Sequence, residues 1–169
     1  MKYPTARRHM VQTWGQLSAQ WGINRTMGQI HALLMISPEP LTADQIIEEL
    51  AISRGNVSMN LRNLVEWGVV YKVHVPGDRK EYFLSEKDAW KMALQIARER
   101  KRRELDPVIN SLHSLQNVDA DEGYEKEVEE LNKMTAQILD VAMQIDKVLE
   151  IGIRSGGQGL VRKLINVLR

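Results

Sequence analysis

The sequence contains no cysteine, which excludes disulfides and thiolate metal sites. Its four histidines are scattered, and none has the paired spacing of a zinc-binding motif such as H-E-x-x-H. The chain also shows no pairing of a nucleophile with a base and no cofactor-binding loop. We therefore expect no metal and no cofactor, and we do not expect an enzyme.

Long hydrophobic runs are missing as well. The longest apolar runs fall far short of the roughly 20 residues that a bilayer-spanning helix requires. The N-terminus leads into polar sequence rather than into a secretory apolar stretch. These features predict a cytoplasmic protein without a membrane partner. A chain of 169 residues with 43% hydrophobic content fits one compact domain or two small domains that share a core.

The chain has almost no excess of one charge. Its formal net charge of +1 does not by itself indicate a nucleic-acid-binding protein. The distribution is uneven, however, because the segment 119–130 is dominated by acidic residues, whereas the segment 54–80 contains only Glu66 and Asp78 as acids. The basic residues of that second segment are Arg54, Arg62, Lys72, Arg79 and Lys80.

Two helices are predicted ahead of the basic segment. The first covers Arg8 to Trp21, and a second helix runs from about Thr26 to Ile36. The run Ser-Pro-Glu-Pro at 37–40 ends the second helix, because proline disfavours helix at its own position and just before it. The stripe that predicts the first helix consists of Val11, Trp14, Leu17, Ser18 and Trp21.

The next two helices begin at recognisable caps. Thr42, with Gln45 three residues later, forms a capping-box pattern, and the third helix buries Ile46, Ile47 and Leu50. Ser53 can cap the fourth helix by accepting a hydrogen bond from an amide of its first turn. A short helix, a tight turn and a second helix in this order are typical of a helix-turn-helix.

The fourth helix has one apolar face and one small polar face. Helical spacing predicts that the buried face contains Val57, Leu61, Leu64 and Gly68. The opposite face would contain Gly55, Met59 and Arg62, flanked by Asn56, Ser58 and Asn63. An ordinary solvated face is the alternative, but such faces usually carry Glu and Lys. Ser, Asn and Arg are side chains that suit base edges and phosphates.

A β-hairpin is predicted after the fourth helix. Residues 69–75 are rich in β-branched and aromatic side chains, the chain turns at 76–78, and it returns through 82–84. Arg79 and Lys80 would lie at the tip, where they could enter a minor groove or contact phosphates, and Asp78 could brace Arg79. The alternative is a solvated turn with a surface ion pair.

The remainder of the chain is predicted to be helical. One helix runs from about residue 85 to Leu115 with a kink or break at Pro107, and its basic cluster 98–103 is interpreted as a solvated, salt-bridged surface. After a turn at 117–123, a second helix ends at Gly152, followed by a flexible connector at 155–159 and a short amphipathic tail. Its three- and four-residue spacing predicts a packing seam of Val128, Leu131, Met134, Ile138, Val141, Ile145 and Val148.

Four segments together resemble the MarR superfamily of regulators and, within it, the GbsR branch. They are SRGNVSMNLR at 53–62, WGVV at 67–70, VPGDRK at 75–80 and RRELDP at 102–107. The resemblance extends from about residue 10 to the acidic turn, and the last third of the chain matches only in helical character. It implies a homodimer whose N- and C-terminal helices interlock, and whose two winged domains bind an inverted-repeat operator in double-stranded DNA.

The resemblance also assigns residues to the site. Six residues match the recognition helix and two match the wing, while Thr42 and Asn63 complete the candidate set from the flanking positions. The candidate DNA-binding residues are Thr42, Ser53, Arg54, Asn56, Ser58, Asn60, Arg62, Asn63, Arg79 and Lys80.

The prediction also includes a candidate effector site. GbsR-like proteins are associated with choline and glycine betaine metabolism, and a quaternary ammonium ligand would bind in an aromatic cage. Trp14 and Trp21 lie one heptad apart and are the candidate effector-binding residues, although two tryptophans on a helix face are more often part of a core.

The predicted fold class is mainly α, with a small β-hairpin wing. The predicted domains are an N-terminal dimerisation helix (1–25), a winged helix-turn-helix (26–86) and a helical dimerisation region with a tail (87–169). The predicted function is that of a dimeric, sequence-specific transcriptional regulator, and a response to a ligand stays open. The alternative is a protein-interaction module that retains a winged helix for docking.

Overall fold

The computed structural model describes residues 1–120 and 122–156. The chain divides into two compact units, which consist of residues 1–92 and of the residues from 93 onward. The fold is mainly helical with one small antiparallel sheet, as predicted. Within the described ranges, none of the helices is long and apolar enough to cross a membrane.

The first unit contains four helices and three short strands. In chain order they are α1 (Tyr3–Gln20), α2 (Arg25–Ile36), β1 (Leu41–Thr42), α3 (Ala43–Leu50), α4 (Arg54–Glu66), β2 (Val70–Val73) and β3 (Tyr82–Ser85). This order confirms the predicted helix-turn-helix followed by a hairpin. The last predicted helix of this region, α5 (Ala89–Arg100), begins in the first unit and crosses the boundary at residue 93.

The helix ends follow the predicted local signals. Thr42 and Gln45 form a capping box at the start of α3, in which the Gln45 side chain accepts from the Thr42 amide at 2.8 Å. Ser53 caps α4 by accepting from the backbone amide of Asn56 at 3.4 Å. One expectation is wrong. Gly68 lies beyond the last residue of α4 with φ of +69°, so it forms the turn into β2 instead of the buried helix face.

The sheet has three strands in the order β1-β3-β2. The predicted hairpin pairs Val70 with Ser85 and Val73 with Tyr82. The two-residue strand β1 was not predicted. It pairs Leu41 with Phe83 on the other side of β3, so the start of the helix-turn-helix is bonded directly to the wing.

The core of the first unit is built around α2 and α4, which pack against each other. Ile30, Leu33 and Leu34 from α2 are almost completely buried, as are Val57 and Leu64 from α4. Burial of such aliphatic side chains stabilises a fold by roughly 1.5–3 kcal/mol each. The C-terminal end of α2 is held by a cation as well.

Lys87 supplies that cation. Its Nζ donates to the carbonyl oxygens of Leu34, Met35 and Ser37 at 2.7 to 2.9 Å. These carbonyls lie at the end of a helix, where amide partners are missing and the helix dipole favours positive charge. Lys87 therefore fixes the segment after the wing to the end of α2.

The second unit contains α6 (Asp106–Ser114) and α7 (Glu125–Arg154), preceded by a π-helical turn at Lys101–Leu105. The predicted break near Pro107 is thus a π-helical turn, and the proline directly follows it in the first turn of α6. The prediction that the last helix ends at Gly152 is wrong. One glycine lowers helix propensity by about 1 kcal/mol but does not have to end a helix of this length. Residues 157–169, which include most of the predicted connector and the tail, lie outside the described residues.

The basic cluster at 98–103 is salt-bridged, as interpreted from the sequence. Arg100 pairs with Glu104, and Arg102 pairs with Glu99. Lys101 lies between three carboxylates, with its Nζ 2.8 Å from Asp106, 2.7 Å from Asp146 and 3.9 Å from Glu150. Hydrogen bonds to Asp106 and Asp146 raise the pKa of Lys101. The cluster therefore stabilises the π-helical turn against α7.

Gly28 of α2 lets this helix lie close to Ser18 of α1. We therefore expect that a methyl group added at Gly28 lowers the stability of the fold. A Cβ at Gly28 would lie 2.6 Å from the Ser18 Cβ, whereas a Cβ at Gly55 in α4 would meet no atom within 4 Å. Gly28→Ala should lower the free energy of unfolding by about 1–3 kcal/mol through overpacking. Gly55→Ala is the control and should leave it unchanged or raise it by up to about 1 kcal/mol. Chemical denaturation of both variants tests this, and equal stabilities would contradict the close packing.

Burial of His31 predicts a loss of stability in mild acid. The side chain packs edge-on against Trp14, with the ring centroids 6.4 Å apart, and burial lowers the pKa of His31 to about 4 from 6.5. Because the unfolded chain binds this proton more tightly, stability should fall as the pH drops from 6.5 to 4, by about 3 kcal/mol in total. His31→Leu should remove this part of the pH dependence. His113→Gln, which changes an exposed histidine, should retain it, and denaturation midpoints between pH 4 and 7 decide between the two.

Candidate nucleic-acid interface

The outward edge of α4 is the centre of the candidate site. Its inward side is occupied by Val57, Leu61 and Leu64, which are at most 2% exposed. This packing turns Ser53, Arg54, Ser58 and Arg62 to the exposed side, together with Met59 and Gly55. Asn56 and Asn63 lie at the margins and are half-buried. The edge is therefore slender and polar, with two guanidinium groups.

Asn60 does not join this edge. It is completely buried, and its Nδ2 donates to the backbone oxygen of Asn56 at 2.8 Å and to the Asn56 Oδ1 at 2.6 Å. Asn60 follows Val57 by three residues and precedes Leu64 by four, so it lies on the buried side of the helix. The structure thus places one predicted site residue in the interior, where it cannot contact a partner.

Thr42 is also buried, although it lines the space between α4 and the β-hairpin. It is 8% exposed, and its hydroxyl lies 3.1 Å from the Gln45 Oε1 within the capping box. Thr42 is the N-cap of α3, and its hydroxyl is therefore engaged in capping this helix. Of the ten predicted residues, Thr42 and Asn60 are the two that the structure buries.

The tip of the wing is organised by a carboxylate. Asp78 accepts from the backbone amide of Lys80 at 3.0 Å and from the hydroxyl of Tyr82 at 2.7 Å. The hydrogen bond from Tyr82, followed by that from Lys80, lowers the pKa of Asp78. Asp78 also interacts with the backbone of Arg79, so the expected contact between these two residues is made through the backbone and helps to close the turn. Arg79 and Lys80 are both exposed at this tip.

A groove of about 420 Å³ separates α4 from the wing. Its walls carry the cations Arg54, Arg62, Lys72 and Lys80. Two acids line it as well, and the sequence analysis did not assign them to the site. Asp44 pairs with Arg54 at 2.5 Å, and Glu81 pairs with Lys72 at 2.9 Å. The positive charge of the segment 54–80 is thus partly matched by acids from just outside it.

The two candidate effector tryptophans have different surroundings. Trp14 is half-buried in α1 and contacts His31. Trp21 follows the last residue of α1 and is 50% exposed. The 65° angle between the Trp14 and His31 rings is an edge-to-face arrangement, which is typical of packing in a core.

The order of elements, the exposed edge of α4 and the wing together define a winged helix-turn-helix protein. Residues 21–81 match the family model described as MarR family. Over these residues the chain is similar to the MarR family, and over a longer stretch it is similar to a GbsR-type regulator.

Three known proteins illustrate the similarity. The HTH-type transcriptional repressor GbsR of Bacillus subtilis is 27% identical over 111 residues, which cover 66% of this chain and 61% of the repressor. The HTH-type transcriptional regulator MmpR5 of Mycobacterium tuberculosis is 33% identical over 74 residues, which cover 43% of this chain and 45% of the regulator. The chain thus spans less than two thirds of either relative. A solved structure described as a transcriptional regulator is 22% identical and has a TM-score of 0.56 over 83% of this chain and 95% of that chain, which supports the fold.

Proposed function

We propose that this protein is a sequence-specific, DNA-binding transcriptional regulator that acts in the cytoplasm as a homodimer on an inverted-repeat operator. The observation that carries the proposal is the exposed edge of α4 beside a cationic wing. A helix fits the major groove of B-form DNA, and the groove presents a distinct pattern of donors and acceptors for each base pair. A slender edge of Ser, Asn and Arg can approach those base edges without steric obstruction.

The residues around that edge have separate roles in the proposal. Arg62 and Ser58 point from the middle of α4 and are proposed to contact bases, because a guanidinium group can bind guanine in a bidentate manner. Ser53 and Arg54 lie at the start of α4, where backbone amides and the helix dipole favour phosphate. Arg79 and Lys80 at the wing tip are proposed to contact phosphate or the minor groove.

An uncovered stripe on α7 supports the dimer. One side of α7 is buried within its own unit through Thr135, Leu139 and Ala142. A second side carries apolar residues at alternating three- and four-residue intervals, each between 43% and 61% exposed: Leu131, Met134, Ile138, Val141, Ile145 and Val148. At 1.5 Å per residue this stripe is about 26 Å long.

A second copy of the chain is the proposed occupant of the stripe. The spacing is that of a helix–helix seam, and two identical stripes can pair around a twofold axis without any unmatched charge at the centre. The N-terminal residues 1–25 and the region from 87 onward are proposed to form the dimerisation region. Such a dimer would present its two α4 helices to successive major grooves about 34 Å apart.

A small molecule could change the affinity of such a dimer for DNA by changing the distance between its two α4 helices. A ligand shifts an equilibrium only by its differential affinity for the two states. A ligand that binds better to a dimer with a different separation of its α4 helices would therefore weaken DNA binding. Trp14 and Trp21 remain the proposed positions for contacts with a cationic ligand.

A protein-interaction module is the competing function, and the net charge of +1 is the observation in its favour. The two proposals differ in sequence-independent binding. A DNA-binding regulator should bind bulk genomic DNA or heparin at low salt, because phosphate contacts release counterions. A docking module should bind neither.

Removal of the Arg62 guanidinium tests the role of α4. Arg62→Ala should weaken binding to a duplex enriched from a random pool by about 1–3 kcal/mol, because a bidentate contact with a base is lost. Arg8→Ala removes the same charge from α1 and is the control. Fluorescence anisotropy at several salt concentrations measures both. Equal losses in the two variants would show that Arg62 contributes only charge.

A charge in the α7 stripe tests the dimer. Ile138→Glu should convert the protein to a monomer, because two carboxylates would be buried without partners at the seam. Met143→Glu introduces the same charge at an exposed position outside the stripe and should leave the dimer intact. Analytical ultracentrifugation reports the mass of each species. A wild-type monomer, or a dimeric Ile138→Glu variant, would contradict the proposed interface.

A further inference from the structure

Two of the cations beside the proposed DNA-binding edge are already paired with carboxylates. The Arg54 guanidinium at the start of α4 contacts Asp44 of α3, and the Lys72 ammonium of β2 contacts Glu81 just before β3. All four residues line the groove between α4 and the wing. Neither pair joins two residues of one helix, since Asp44 precedes Arg54 by ten residues and Lys72 precedes Glu81 by nine.

The neighbouring cations differ from these two. Within the described part of the chain, the side chains of Arg62, Arg79 and Lys80 form no direct ion pair, although the charge of Lys80 also interacts with Asp78. The surface therefore combines three cations without a direct ion pair with two cations that must first leave a carboxylate. A phosphate that approaches Arg54 or Lys72 has to compete with that carboxylate and is repelled by it.

The two ion pairs contribute little to the fold itself. Each of the four side chains is more than half exposed, and ion pairs with such exposure are weak because water screens them. Asp44 also lies in the first turn of α3, where the helix dipole favours an acid, but an asparagine could occupy the same space. The position of both acids in the groove is thus better explained by an effect on the approaching polyanion.

We propose that Asp44 and Glu81 are specificity-determining residues, which occupy Arg54 and Lys72 and so restrain phosphate-driven, sequence-independent binding to DNA. This inference rests on the proposed function. Sequence-independent binding depends almost entirely on phosphate contacts and counterion release. A surface whose cations are partly neutralised gains less binding free energy from the phosphates of any duplex. The contacts between α4 and the bases then determine the sequence to which the protein binds.

Isosteric neutral variants test the inference. Asp44→Asn and Glu81→Gln should each raise affinity for a mixed-sequence duplex at low salt by about threefold to tenfold. Each should also steepen the plot of log affinity against log salt by up to about one unit, because one more cation becomes available to phosphate. The control Glu129→Gln makes the same change in net charge at an exposed position of α7 and should alter neither quantity.

A double-mutant cycle separates a local pair from a general charge effect. In an Arg54→Ala background, Asp44→Asn should raise affinity clearly less than in the wild type, because it removes only the repulsion between carboxylate and phosphate and releases no cation. Thermal melting of each variant verifies that it is folded. A gain of the same size with and without Arg54, or a gain in Glu129→Gln as large as in Asp44→Asn, would overturn the inference.

The cycle also distinguishes the failure of the inference from that of the proposed function. If the wild type binds the duplex and the Asp44 and Glu81 variants bind it no more tightly, the inference is wrong and the proposed function stands. If neither the wild type nor any folded variant binds DNA at low salt, the proposed function is wrong, and the inference fails with it.

Discussion

Burial of one side of α4 against α2 is the constraint on which the rest of the structure depends. Val57, Leu61 and Leu64 lose nearly all contact with solvent, and this fixes the rotation of the helix about its own axis. The opposite edge must then face outward with Arg62 and Ser58. A helix rotated by one residue, or about 100°, would turn a different set of side chains to the surface. Packing in the core and the chemistry of the edge are therefore set by the same contacts.

Much of this arrangement could be predicted because its signals are local. Thr42, Ser53 and the prolines at 38 and 40 act within one helical turn, and helical spacing assigned most of α4. Asn60 was included in the site because the family resemblance carried it over, although its spacing from Val57 and Leu64 is that of a core residue. The contact between Asp44 and Arg54 could not be predicted, since it depends on how α3 and α4 cross. The strand β1 has only two residues and leaves no periodic pattern.

The long helix α7 shows both the strength and the limit of periodicity. The predicted helix is present, but the packing at the predicted seam stays a prediction: Val128 is half-buried, whereas Leu131, Ile138 and Val148 are exposed. The spacing of apolar residues predicts which faces of a helix are apolar, but it does not predict which of these faces packs against the rest of the same chain. In α7 one face packs within its unit and the other is left uncovered. The second face connects the fold of one chain to the proposed twofold assembly.

Selection of bound sites from a random DNA pool tests the central claim most directly, since it reports specificity and symmetry in one measurement. A pair of α4 edges related by a twofold axis should enrich an inverted repeat whose half-sites are centred about 10 base pairs apart. Enrichment of that pattern would support a dimer that holds two base-reading helices on one face of the duplex. A pool that stays random, or that enriches a single site without symmetry, would contradict it.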